Sequence, residues 1–439
     1  RRTQEQRSRL RMANADHDYF MKRVLLTEDV SCLRPSHERM NEAVTVSRRR
    51  VGEIAKAAPD ATEALLNWIE YLEKGAKVIA VRVPSHSNAF VVFETLNDRG
   101  LGLSAADLLK NYLFMLSEDR LAEVQECLTR ILGALESVAD EGTVVTYIRH
   151  YWLSARGHAK ARDLYSTIKA AINSKQAAIE LAKSLAEEAR AYAALLNPSH
   201  ELWGELGGSG RGHLRTLHHL RMEQNRPLLL AVLQTMEPRE AVEVLRMVVS
   251  WSARFLIVGG LGGGTMEKHF GECALKVRAG DHSSGSAVAA AMVGVVPDDE
   301  QFRAAFSTAR VSQAWLARYY LRALESAARA EEEPEVVVNE NENQLTLEHI
   351  LPKDPQDAWP GVTSEEVSAL CKRIGNLALL KKRENSDAKS AAFEDKKDDY
   401  ASSGLITTSE IAKATEWGKE QIDARQAELA KLALKAWPL

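Results

Sequence analysis

From Leu116 to about Glu331 the chain is a near-continuous succession of amphipathic segments with helical spacing, and this restricts the fold more than any other feature. Segments at 119–137, 143–155, 159–175, 177–195, 212–223, 226–235, 238–257, 285–294 and 310–330 each place apolar residues on one face. Breaks fall at Asn197-Pro198, the Gly-rich 204–212, Glu237-Pro238 and the Gly-rich 259–264. The expected fold is therefore mainly α. At 439 residues there is chain enough for two or three domains, each with its own core. Three more helices are expected at the start, over Arg9–Val24, Ser36–Ala57 and Ala61–Lys74, followed by a strand over Lys77–Val83.

Composition excludes several classes. No apolar run reaches membrane-spanning length, and the basic start RRTQEQRSRLRM has no apolar core, so neither a membrane span nor a signal peptide is expected. The four cysteines are widely spaced, which argues against a disulfide framework or zinc site and suits a reducing cytoplasm. The segment 331–343 is acidic and polar with a proline, and reads as a linker between a helical domain at 119–330 and a final domain at 344–439.

That final domain holds the polar residues of most chemical interest. Leu345 and Leu347 alternate with Thr346 and Glu348; His349 follows, and Pro352 stops the strand. A second apolar run, Leu377–Leu380, starts after Gly375-Asn376, and Asn385 lies at the expected start of a helix running through Phe393. Between the strands a small helix is expected to begin at Thr363 or Ser364. Phosphodiester cleavage needs a base for water and positive charge on the phosphorane. An imidazole titrating near neutrality suits the first role, so His349 is the candidate base. A hard cation such as Mg²⁺ or Mn²⁺ accepts a carboxylate and an amide oxygen, which Glu348 and Asn385 can offer. Lys372, Arg373, Lys381, Lys382 and Arg383 are candidates for the DNA backbone: from Lys372 to Lys397 there are eight Lys/Arg against four Asp/Glu, in a chain of net charge −4. A solvated strand end and an ordinary first helical residue explain Glu348-His349 and Asn385 equally simply.

The order L-E-H-I-L-P, I-G-N-L-A-L-L, N-S-x-x-x-S-x-x-F resembles the C-terminal HNH-type nuclease domain of the GmrSD-like type IV restriction enzymes. The resemblance continues through Trp417, Ile422, Arg425 and Trp437. It implies a ββα-metal domain in which His349 is the general base, Asn376 braces the loop and Asn385 binds the metal, with the role of Glu348 as an acidic ligand less defined. It also implies a modification-dependent restriction endonuclease or nickase acting on double-stranded DNA in antiviral defence, with sugar-modified cytosine or phosphorothioate as the signal sensed. A DNA-binding scaffold with a degenerate HNH domain and an RNA nuclease are the alternatives.

Upstream, F-E-T-L-N-x-R-G-x-x-L-S-x-x-D-L-L-K-N resembles the second half of the same family's nucleotide-using domain. By that resemblance Asn97, Arg99, Asp107 and Lys110 lie at or near a nucleotide site, and residues 1–118 are the remainder of a sensor domain. A capped helix after a tight turn is the simpler reading of the same stretch. The Asp-Gly-Gln-Gln-Arg motif of that domain does not occur here, so the expectation is a chain lacking that half, with NTP (GTP) use confined to the full-length protein. Other tempting groups read as structural. GGLGGGTMEK lacks the phosphate-loop pattern and reads as a connector capped by Thr265. His213, His218 and His219 share one helix, where His219 and Glu223 at a spacing of four could place two metal ligands on one face but lack a third, and Arg149, Trp152 and Arg156 share a face that could touch DNA and that packing explains as well.

Overall fold

The computed structural model describes residues 12, 14–75, 77, 105–135, 141–205, 210–259, 262–332, 345–355, 358–381 and 391–439. The chain forms two compact units, Arg1–Arg82 and Val83–Leu439. In the first, α1 (Asn14–Phe20), α2 (Pro35–Lys56) and α3 (Ala61–Gly75) pack on one another. Asp60 accepts the Thr62 and Glu63 amides ahead of α3. Tyr19 stacks on His37 with ring centroids 4.0 Å apart. The expected strand at 77–83 falls on residues outside those described, apart from Lys77.

The second unit is helical almost throughout: α4 (Ala105–Ser117), α5 (Leu121–Leu135), α6 (Glu141–Ala155), α7 (Leu164–Ala171), α8 (Lys175–Leu196), α9 (Gly210–His219), α10 (Arg226–Thr235), α11 (Pro238–Val258), α12 (Gly263–Arg278), α13 (Gly285–Met292), α14 (Asp299–Phe306) and α15 (Ala314–Ala328). The periodicity had its physical basis in α8, whose Ala-rich buried face lets α5 and α10 approach closely. Two helices differ from the sequence expectation. The Gly-rich stretch leads directly into α12, with Gly262 at its N-cap and Thr265 inside it, and α14 starts on an Asp298–Gln301 capping box.

The C-terminal part carries the only strands among the described residues. β1 (Leu345–His349) pairs antiparallel with β2 (Leu377–Lys381), placing Leu347 opposite Leu379, Glu348 opposite Ala378 and His349 opposite Leu377. Between them lies α16 (Ser364–Leu370), begun by a Thr363–Glu366 capping box; α17 (Phe393–Ser402) and α18 (Lys419–Ala436) follow. Phe393 is thus the first residue of its helix, where the sequence suggested its end.

The second strand and the last helix share a core with the helices that precede them. Leu377, Leu379, Leu429, Ala433 and Trp437 belong to the same core as α4–α15, while Ile350, Leu351, Ala378, Leu380, Phe393, Tyr400 and Trp417 form a second, smaller core. The two-stranded ribbon is the wall between them. Trp437, fully buried, lies among Phe302, Phe306, Tyr319 and Tyr320, and its indole N–H donates to the Tyr319 hydroxyl at 2.9 Å. Arg254, also fully buried, donates to the Trp437 and Pro297 carbonyls and to Asp299. The run before α15 is stitched to the turn before β2 through Val311 N to Lys372 O (2.9 Å) and Ile374 N to Ala309 O (3.2 Å). The linker expected at 331–343 lies, from 333 on, outside the described residues.

Candidate functional site

Glu348 and His349 end β1, and the chain from Ile350 to Cys371 returns to a short 3₁₀ turn, Ile374–Asn376, that feeds β2. Asn376 is completely buried and spends its carboxamide on the return. Its Oδ1 accepts the Leu351 amide (2.8 Å) and the Trp417 indole N–H (3.0 Å), and its Nδ2 donates to the carbonyls of Leu351 (2.9 Å) and Cys371 (3.3 Å). Only a group with both donors and an acceptor can close such a loop. Gly375 beside it has no room for a side chain, because a β-carbon would run into the Ile422 carbonyl and stand 2.8 Å from Gln426 Cβ. Gln426 accepts from Gly375 N (3.1 Å) and Arg373 Nε (2.8 Å) and donates to the Phe306 and Ala309 carbonyls. Arg425, half-buried and without a carboxylate partner among the described residues, donates to the Gly375 and Leu377 carbonyls at 2.8 Å, and desolvation lowers its pKa to about 10.

His349 is half-buried, and its ring takes no hydrogen bond among the described residues. Burial first, then the charges of Lys353, Lys396 and Lys372, lower its pKa to about 4. The imidazole is therefore neutral, with its nitrogen lone pair available, at neutral pH. Lys353 is exposed and Lys372 half-buried.

Glu348 points to the other face of the ribbon. There its carboxylate meets the ammonium of Lys396, 2.7 Å away, with Lys396 fully buried and Glu348 5% exposed. The same ammonium reaches the carbonyls of Ile350 (3.3 Å) and His349 (3.5 Å). Burial raises the pKa of Glu348, and Lys396 opposes that rise. Burial likewise raises the pKa of the Tyr400 hydroxyl near this carboxylate. Lys396 was expected only as part of a basic surface. The signal lay in Phe393-x-x-Lys396-x-x-x-Tyr400, which puts the lysine on the apolar stripe of α17.

The remaining candidates divide. Arg373 is turned inward onto Gln426, the Ser307 carbonyl and Asp423, not outward to a ligand. Lys381 is exposed at the end of β2. Lys382, Arg383 and Asn385 lie outside the described residues, as do Asn97 and Arg99. Asp107 and Lys110 pair with each other at 2.9 Å on the first turns of α4, both about two-fifths exposed. His218 bonds to the Leu195 carbonyl, His219 packs on Trp315, and Arg149 pairs with Glu267, so these serve the fold.

Residues 296–432 match the family model of the GmrSD restriction endonucleases, C-terminal domain. In this region the chain is GmrSD-like. The matched stretch starts inside the helical part, three residues before α14, and takes in α14, α15 and β2, which share a core with α18. The match ties this region to the restriction endonucleases. No curated protein matches the chain. No helix among the described residues is long and apolar enough to cross a membrane.

Among the described residues no three His, Cys, Asp or Glu side chains gather, and the one carboxylate at the site, Glu348, already carries an ammonium.

Proposed function

We propose that the C-terminal region hydrolyses DNA phosphodiesters as the nuclease of a modification-dependent restriction system, with His349 as the general base on water. The observation that carries this reading is the His349 ring at the end of β1, half-buried and without a hydrogen bond among the described residues, with the charges of Lys353 and Lys372 near it. A phosphodiester entering beside Lys353 and Lys372 would offset the charges that hold the imidazole pKa down, and would so strengthen the base where the substrate sits. The same two lysines face the charge that builds on the phosphorane. Asn376, by holding the Leu351–Cys371 return, fixes the end of β1 and with it the imidazole.

The HNH-type ββα frame, a Mg²⁺ or Mn²⁺ ion with Asn385 among its ligands, nicking, GTP use by the full-length protein through Asn97, Arg99, Asp107 and Lys110, and a modified double-stranded DNA signal all belong to this proposal by resemblance. The rival, a module that grips DNA without cutting it, gains from the neutralisation of Glu348 by Lys396.

Relaxation of supercoiled plasmid, modified and unmodified, with Mg²⁺, Mn²⁺ or EDTA tests the proposal. Wild-type protein should nick and His349→Ala should lose about 100-fold or more of the rate with the melting temperature unchanged. Equal rates remove His349 from the chemistry. Cleavage of single-stranded RNA in preference to duplex DNA would move the assignment to the RNA nucleases.

A further inference from the structure

The Lys396 ammonium sits among three oxygens: one carboxylate oxygen of Glu348 and the carbonyls of His349 and Ile350. It is fully buried, and the carboxylate it faces is nearly so. A lysine is strongly hydrated and loses much on leaving water, so its complete burial here needs a matching set of acceptors. That set, one anionic and two neutral oxygens, is also what a hard cation would choose. We propose that Lys396 is the positioning residue of the candidate nuclease site. It is a tethered cation that takes the place of a metal ion at Glu348 and fixes the backbone on both sides of the His349–Ile350 peptide.

Three observations support this. The pair joins α17 to the last turn of β1 across 48 positions of sequence, so it is a tertiary lock and not a helix-surface pair. The ammonium reaches the carbonyls of the base itself and of the next residue, so displacement of Lys396 moves the imidazole. And Glu348 lies on the face of the ribbon opposite to His349, facing the small core of Ile350, Leu380, Phe393 and Tyr400. The acidic residue next to the base therefore orders the loop and does not present an oxygen to the substrate. The inference rests on the nuclease reading for the role of His349, but its first test does not.

That first test is thermal unfolding of the whole chain in EDTA and in Mn²⁺. Lys396→Met should lower the melting temperature in EDTA by about 5 °C or more, because it leaves a buried carboxylate without a partner. Mn²⁺ should restore a large part of the loss by entering the three-oxygen set. Glu348→Gln/Lys396→Met should melt higher than Lys396→Met in EDTA and show no Mn²⁺ shift beyond that of wild type. Equal Mn²⁺ shifts in the single and double variants overturn the tethered-cation assignment. Where Lys396→Met does not accumulate as folded protein, Glu348→Gln carries the test. Adding Lys396→Met to it should raise the melting temperature, and a further fall overturns the assignment. The second test is plasmid nicking by Lys396→Arg, which keeps the charge but changes its shape. Its kcat should fall about 10- to 100-fold with KM for DNA unchanged. An unchanged kcat there removes the positioning role. A wild-type protein that nicks nothing defeats the nuclease reading and leaves the thermal result standing.

Discussion

Asn376 accepts a hydrogen bond from the Trp417 indole at 3.0 Å, across 41 positions of sequence. The contact fastens the turn before β2 to the segment that leads into α18. It also draws on the same Oδ1 that holds the Leu351 amide. Removing the carboxamide would therefore orphan two buried N–H groups and two carbonyls at once. Asn376→Ala should cost about 3 kcal/mol or more, read from urea denaturation. A cost below about 0.5 kcal/mol would mean that water replaces the side chain.

The depressed pKa of His349 makes a prediction in pH. A base acts in its deprotonated form, so lowering its pKa extends activity toward acid. The acid limb of kcat/KM for nicking, which reports the free protein, should fall near pH 4 instead of near the ordinary 6.5, and Lys353→Gln should move it upward by removing one of the charges responsible. The sign for stability follows. Between 6.5 and about 4 the unfolded chain protonates this residue while the folded chain does not, so acid favours unfolding over that window. A limb at 6.5 that ignores Lys353 would contradict both statements.

Trp437 fills the aromatic nest of Phe302, Phe306, Tyr319 and Tyr320 near the end of α18. Trp437→Ala should destabilise the second unit by about 3–5 kcal/mol. Because that core reaches β2, near-ultraviolet circular dichroism and nicking should be lost in one transition, not two. Separate transitions would show that the ribbon and the helices melt independently.

Gly375→Ala should prevent accumulation of folded protein, since the added carbon meets backbone at Ile422 instead of a side chain that can turn away. Gly264→Ala is the control: nothing stands within 4 Å of a β-carbon there, and the residue lies in the first turn of α12. Its melting temperature should stay the same or rise slightly. Similar yields of the two variants would refute the close approach.

Much of the helical architecture was legible because each long helix writes a 3.6-residue stripe, as α8 and α11 do. α12 was hidden because its first residues are glycines, which read locally as a connector. α14 was hidden by its shortness, although its Asp298–Gln301 cap was present in the sequence. At the site the ribbon, the Thr363 cap and the positions of Glu348 and His349 could be read from alternation and turn residues. The partner of Glu348 could not. A charge written between Asp395 and Lys397 looks solvated, and only the packing of α17 shows that Lys396 alone among its neighbours faces inward. Likewise Arg373 resembles any basic surface residue until Gln426 and Asp423, some fifty positions on, are brought beside it. Local patterns carry local structure; they do not carry which distant side chain arrives to complete a charge.

The wall formed by β1 and β2 has a cost for misfolding that follows from its two dissimilar sides. Sliding one strand by a single residue would exchange the sides of every side chain on it. Glu348 would then enter the aliphatic layer of Leu377 and Leu379, and the imidazole would face the ammonium of Lys396. Leu377–Leu380 of β2 are buried on both faces, so neither arrangement suits the ribbon. The ribbon thus has one tolerable alignment, and the chemistry at its tip inherits that uniqueness.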